Sequence, residues 1–175
     1  MRRMIWFTVI VLVCGSLCGC ERRAMFGKSD EAAIRELFTE YQKDWNAHDT
    51  QAMGSLFTDD AQWINVVGMH WSGKPDIVKA HEIYHRFLFQ KTGIKFLDVS
   101  IQPITPDVAI AVVPEDFDTS LLPDGGTRPA SKDILSFILV KRDGQWKIVH
   151  GHNTIVVPEA RPYDPVNSGW NGGKK

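Results

Sequence analysis

Between residues 30 and 57 apolar positions recur at three- and four-residue steps, and from residue 94 onward they alternate every second residue. The first pattern predicts helices and the second predicts strands. Ile34, Leu37, Phe38, Tyr41 and Trp45 share one face of a helix predicted over about 30–48, with Ser29 or Asp30 as its cap. Asn46-Ala47-His48-Asp49 breaks that helix, and Asp49 caps a shorter one reaching about Phe57. Thr58-Asp59-Asp60 reads as a turn. In the strand predicted over 62–67, Trp63 and Asn65 point one way while Ile64 and Val66 point the other. Gly68 turns the chain into a short second strand holding Trp71. Pro75 opens a third helix that runs to about Phe89. On it Ile77, His81, Tyr84 and Leu88 form a stripe, and His85 lies one turn beyond His81.

Four strands are predicted after Gly93, over about 94–104, 107–119, 130–142 and 145–157. Asp143-Gly144 marks a two-residue hairpin between the last two. Pro114 cannot donate to a ladder, so its strand is predicted to bulge there or to lie at an edge. Helix, helix, strand, strand, helix and four antiparallel strands make an α+β domain. A strongly bent, mostly antiparallel sheet with three helices closing it forms a cone-shaped barrel with a cavity inside.

Composition narrows this picture at the N-terminus. All three cysteines, Cys14, Cys18 and Cys20, lie in the first twenty residues of 175. The rest of the chain therefore holds neither a disulfide framework nor a thiolate metal site. Arg2 and Arg3 precede an apolar run from Met4 to Leu17, the form of a secretory signal. That run is shorter than the roughly 20 apolar residues of a transmembrane span. It ends in Leu17-Cys18-Gly19-Cys20, which resembles a bacterial lipobox. The resemblance implies removal of residues 1–19, lipidation of Cys20, and an extracytoplasmic, membrane-anchored domain on the periplasmic face or the cell surface. Residues 20–28 then form a tether, 29–157 the domain, and 158–175 a flexible tail rich in Pro, Gly and Asn. Twenty Lys and Arg against 21 Asp and Glu leave a net charge of −1, without the basic surface that nucleic acid requires.

The chemistry concentrates in two stretches. Along the last strand Trp146, Ile148, His150 and His152 alternate onto one face, and Lys147, Val149, Gly151 and Asn153 onto the other. Trp146 and Ile148 are core-type residues, so both histidines are predicted to face inward. Trp63, Asn65, Trp71, His81 and His85 come from the earlier strands and the third helix. Together these side chains would line a small-molecule pocket with aromatic walls and few polar groups. Three uses stay open. A histidine, His152 or His85, could act as general acid or base, positioned by Asn65 or by a carboxylate such as Asp60 or Asp116. The pocket could bind an apolar ligand without turnover. His81 with His85, or His150 with His152, could ligate a divalent metal. No nucleophile motif, phosphate loop or Gly-x-Gly-x-x-Gly is present, so no cofactor is expected.

Four segments carry a family resemblance: AAIRELFTEYQKDWNAHD, LFTDDAQWINVVG, WSGKPDI and DGQWKIVHGHNT. Across roughly 30–156 the chain resembles the nuclear-transport-factor-2-like superfamily, and within it SnoaL-like domains of the SgcJ/EcaC type. The resemblance implies the conical fold, with the His150 and His152 face of the last strand lining the cavity, and its motif there makes His152 and Asn153 candidate site residues. It also implies a homodimer formed through the open face of the sheet. Apolar residues on both faces, Leu135, Phe137 and Leu139 against Ile134, Ile138 and Val140, agree with one face covering a pocket and the other a partner.

Overall fold

The first helical stripe folds as predicted and anchors the domain. In α1 (Lys28–Asn46) the side chains of Ile34, Leu37, Phe38, Tyr41 and Trp45 are all buried. Burying each such side chain stabilises the fold by roughly 1.5–3 kcal/mol. The cap differs from expectation. Gly27 occupies the cap position, and Asp30 reaches back to accept a hydrogen bond from its N–H at 3.1 Å. Asp30 also accepts from Lys141 Nζ (2.7 Å) and Trp146 Nε1 (3.1 Å), which pins the first turn of α1 to the sheet. Asp49 caps the short α2 (Thr50–Ser55) through the N–H of Ala52.

The computed structural model describes residues 25–169. The signal-like segment, Cys20 and most of the tether lie outside the described residues. Thr58-Asp59-Asp60 is not a turn: it belongs to β1 (Phe57–Ile64), which starts directly after α2. β2 (His70–Ser72) pairs with β1, and α3 (Lys74–Phe87) follows. The strand predicted over 94–104 is split into β3 (Ile94–Phe96) and β4 (Ser100–Thr105). Both pair with one edge of β5 (Val108–Phe117). A short hairpin of β6 (Ser120–Leu121) and β7 (Thr127–Arg128) leads into β8 (Ser131–Arg142). Asp143 and Gly144 both adopt positive φ and turn the chain into β9 (Gln145–Ile155), as a two-residue hairpin requires. Residues Pro158–Tyr163, read from composition as structureless, form an exposed 3-10 helix.

The strands make a bent sheet in the order β2-β1-β9-β8-β5, with β3 and β4 end to end along the far edge of β5. Every pairing is antiparallel except β1 with β9. The sheet curves without closing into a barrel. Its inner face meets α1 through Leu135, Phe137, Leu139, Trp146 and Ile148. Pro114 is neither bulged nor at an edge. It pairs with Ile134 on one side, and on the other it faces the gap between β3 and β4, where no N–H is needed from it. Its carbonyl accepts from Leu97 N at 2.8 Å.

β9 holds the consequential irregularity. Leu139 pairs with Ile148, but Ile138 pairs with His150, so Val149 is an extra residue on β9. Alternation therefore changes phase at Val149. Gly151 pairs with buried Phe137, and Asn153 with buried Leu135. His150 and His152 pair with outward-facing Ile138 and Ser136.

Candidate functional site

A cavity of about 490 Å³ lies between the inner face of the sheet, α1 and α3. Its mouth is framed by the β1–β2 turn, with Val67 and Met69, and by the β6–β7 hairpin, with Leu121 and Leu122. Trp45, Trp63, Trp71, Phe89 and Phe117 wall it. Trp63 takes its position from Gly151, whose bare α-carbon leaves room for the indole ring across β9.

His81 is buried and lines this space, edge-on to Trp63 (5.5 Å between ring centres) and Trp71 (5.6 Å). Its Nδ1 lies 2.8 Å from the carbonyl oxygen of Ile77. A carbonyl only accepts, so Nδ1 carries the hydrogen and Nε2 is left as an acceptor. Burial holds the imidazole below its usual range, opposed by that backbone hydrogen bond, so the ring is neutral at pH 7.

The opposite end of the cavity is polar. Glu115 on β5 and Asp133 on β8 are directly opposite each other and both buried. Asp133 accepts from Arg128 Nη2 (3.2 Å to each oxygen), Ser131 Oγ (2.9 Å) and Asn153 Nδ2 (3.2 Å). Glu115 lines the cavity, and its carboxyl forms no hydrogen bond with the described residues. Burial first, then the neighbouring Asp133 carboxylate, push Glu115 up to about 8, against a smaller opposing effect of Arg128. Glu115 is therefore largely protonated at pH 7 and can donate a hydrogen bond. Tyr41 also lines the cavity, its hydroxyl pushed upward by burial and by Glu115. Arg128 lies 4.6 Å above the Phe117 ring.

The sequence-predicted residues divide. Trp63, Asn65, Trp71, His81 and Asn153 line the cavity. Within this set Asn65 has a structural task, since its Oδ1 accepts from the N–H groups of Val67 (3.1 Å) and Met69 (2.8 Å) and shapes the β1–β2 turn. His150 and His152 do not line it, because the Val149 bulge turns them to the outer face. There His150 is held below its usual range by partial burial, then by His152 and His70. His85 is buried and does not line the cavity, its ring centre 4.5 Å from that of Trp45 and 4.4 Å from that of His48, with neither ring nitrogen hydrogen-bonded among the described residues. Burial, then His48 and His81, push it down to about 3. Among the described residues no group of three His, Cys, Asp or Glu side chains converges as metal ligands would, and His81 and His85 face different aromatic clusters. Asp60 and Asp116 do not line the cavity; they pair with Arg142 and Lys132 at the surface.

Tyr41, Arg128 and Asp133 carry no site prediction from the sequence, and the acidic pair Glu115-Asp116 beside Pro114 reads there either as solvated or as edging the pocket. A signal for Glu115 and Asp133 exists. Ala109, Ala111, Val113, Glu115 and Phe117 are in one phase of β5, and Asp133, Leu135, Phe137 and Leu139 in one phase of β8. A carboxylate in step with an apolar alternation marks an inward-facing acid.

Comparison with known proteins agrees with this architecture. The family model of the SnoaL-like domain matches residues 34–158, and the chain belongs to that family, within the nuclear-transport-factor-2-like superfamily. An uncharacterised protein with a cystatin-like fold from Caulobacter vibrioides is 38% identical, with a TM-score of 0.75 over 78% of this chain and 96% of that one. A ketosteroid isomerase-like protein from Erwinia carotovora atroseptica shares the fold at 16% identity, with a TM-score of 0.63 over 75% of this chain and 100% of that one. A type 2 hexachlorocyclohexane dehydrochlorinase does so at 15% identity, with a TM-score of 0.65 over 74% of this chain and 86% of that one. No functionally curated protein matches the chain.

Proposed function

We propose that the domain binds a small, largely apolar molecule in the cavity between its tryptophan wall and Glu115. The carrying observation is the wall itself: Trp45, Trp63, Trp71 and Phe89 surround a space of ligand size in which few polar groups converge. Equilibrium dialysis against two-ring aromatic compounds tests it. Saturable one-to-one binding that Trp63→Ala abolishes supports the reading. Absence of saturable binding across the panel overturns it.

One observation favours turnover as a second reading. His81 is neutral with Nε2 as an acceptor, while Glu115 retains its proton, and both line one apolar space. A free base and a loaded acid at the same pH are what proton transfer within a bound molecule needs. The names of two proteins sharing the fold, a ketosteroid isomerase-like protein and a dehydrochlorinase, support this reading, since isomerisation and loss of HCl both move a proton. Solvent deuterium incorporation into bound cyclic ketones, lost in both His81→Gln and Glu115→Gln, is the expected result. Incorporation unchanged in either variant removes that residue from the chemistry.

The anchor and the dimer are proposals of the same kind. Leu17-Cys18-Gly19-Cys20 supports lipidation, extracytoplasmic placement and membrane attachment. Cys20→Ser is expected to release the protein from the membrane fraction. Exposed Val112, Ile134 and Ile138 on the outer face of the sheet support pairing with a second copy. A mass of one chain by native mass spectrometry at micromolar concentration would refute that pairing.

A further inference from the structure

Arg128 does more than neutralise Asp133. Its bonds to Asp133 and to Ser131 Oγ (2.7 Å) all leave from Nη2. No described residue takes up the N–H groups of Nε and Nη1, and Arg128 lines the cavity. Ser120, its pairing partner across the β6–β7 hairpin, is buried and lines the cavity without a hydrogen bond from its hydroxyl. Tyr41 presents a second such hydroxyl from α1. Both Asp133 oxygens already receive hydrogen bonds, and the acceptors left open at this end, Asn153 Oδ1 and the Glu115 carboxyl, are fewer than the N–H and O–H groups of Arg128, Tyr41 and Ser120. What faces the cavity here is an excess of donors in an apolar surround. An excess of donors is satisfied by an oxygen acceptor on the occupant.

We infer that the β6–β7 hairpin sets specificity, and that the ligand is an apolar molecule whose carbonyl-type oxygen, ketone or carboxylate, is held by Arg128, Tyr41 and Ser120. The inference rests on the binding reading above and adds the functional group. The hairpin brings Arg128 and Ser120 to the polar end, while its tip, with Leu121, Leu122 and Pro123, covers the mouth. One short element thus supplies both the polar recognition and part of the apolar cover.

Equilibrium dialysis of the protein against 2-acetylnaphthalene, 2-naphthoate and 2-ethylnaphthalene tests it, because the ethyl compound matches the acetyl compound in shape and lacks the oxygen. The expected result is preference for an oxygen-bearing ligand over 2-ethylnaphthalene by about tenfold or more, the consequence of one good hydrogen bond. Stronger binding of 2-naphthoate identifies the carboxylate, and stronger binding of 2-acetylnaphthalene the ketone. Arg128→Lys keeps a cation for Asp133 but gives up the guanidinium's spare N–H groups, and Tyr41→Phe removes only a hydroxyl. Each is expected to reduce the preference while leaving 2-ethylnaphthalene affinity within about twofold. Equal binding of all three ligands overturns this inference and leaves the pocket reading intact. No binding of any of them overturns both. The wild-type series needs no substitution, so a variant that fails to fold does not remove the test.

Discussion

The indole of Trp63 packs against the α-carbon of Gly151, the residue facing it across the parallel β1–β9 pair. A methyl group at Gly151 would overlap the ring atoms Cζ3 and Cε3. The aromatic wall of the cavity therefore depends on a missing side chain on the neighbouring strand. Gly151→Ala is expected to displace Trp63 and to destabilise the domain by about 1–3 kcal/mol through overpacking. Urea denaturation would read the loss, and tryptophan fluorescence would report the moved ring. An unchanged midpoint and spectrum would contradict the contact.

Glu115 makes stability depend on pH with a definite sign. Its carboxyl holds a proton in the folded state up to about 8, against 4.5 as its ordinary value. Between those values the folded state binds more protons than the unfolded state, so raising the pH favours unfolding. The slope for one proton approaches about 1.4 kcal/mol per pH unit at most. His81 and His85 act in the opposite direction at acid pH, because only the unfolded chain protonates them readily. Subtracting the profile of Glu115→Gln isolates the glutamate. The variant should gain stability relative to the native protein between pH 5 and pH 8. A difference that stays constant over that range would show that Glu115 titrates normally.

Asp30 has the reverse linkage. Its hydrogen bonds from Lys141, Gly27 and Trp146 hold the carboxyl below its ordinary range. Its contribution is thus present above the unfolded value near 3.8 and is lost as pH falls through the lower folded value. Asp30→Asn keeps the size but removes the charge that Lys141 meets. A loss of about 1–3 kcal/mol is expected at pH 7, narrowing as the pH drops below 4. A deficit as large at pH 3 as at pH 7 would mean that shape, not charge, explains it.

Most of the architecture could be read from periodicity because it is local. The stripe from Ile34 to Trp45 and the alternations of β5 and β8 each depend on neighbours a few residues away. The Asp143-Gly144 reversal likewise follows from two residues able to take positive φ. The inward positions of Glu115 and Asp133 follow from the same alternation once it is counted through the charged residues. The phase change at Val149 could not be read that way. It is set by how β9 pairs with β8 and β1, far away in sequence, and nothing in QWKIVHGHNTI marks the extra residue. One unpaired residue exchanged the faces of four side chains, which takes His150 and His152 off the cavity and leaves His81 as the histidine lining it among the described residues.

That exchange gives a sharp contrast between two histidines. His152 faces outward beside Ser136 and Ile64, whereas His81 meets the cavity between Trp63 and Trp71. His152→Ala is expected to leave affinity for a two-ring aromatic ligand within about twofold, because it removes no atom that the ligand can reach. His81→Ala removes a wall and an acceptor together, and is expected to weaken binding by about tenfold or more. Unfolding midpoints of both variants would separate lost contact from lost structure. If His152→Ala weakened binding with an unchanged midpoint while His81→Ala did not, β9 would have to run without the bulge at Val149. The phase of the whole last strand would then be that of simple alternation, with Gly151 turned away from Trp63.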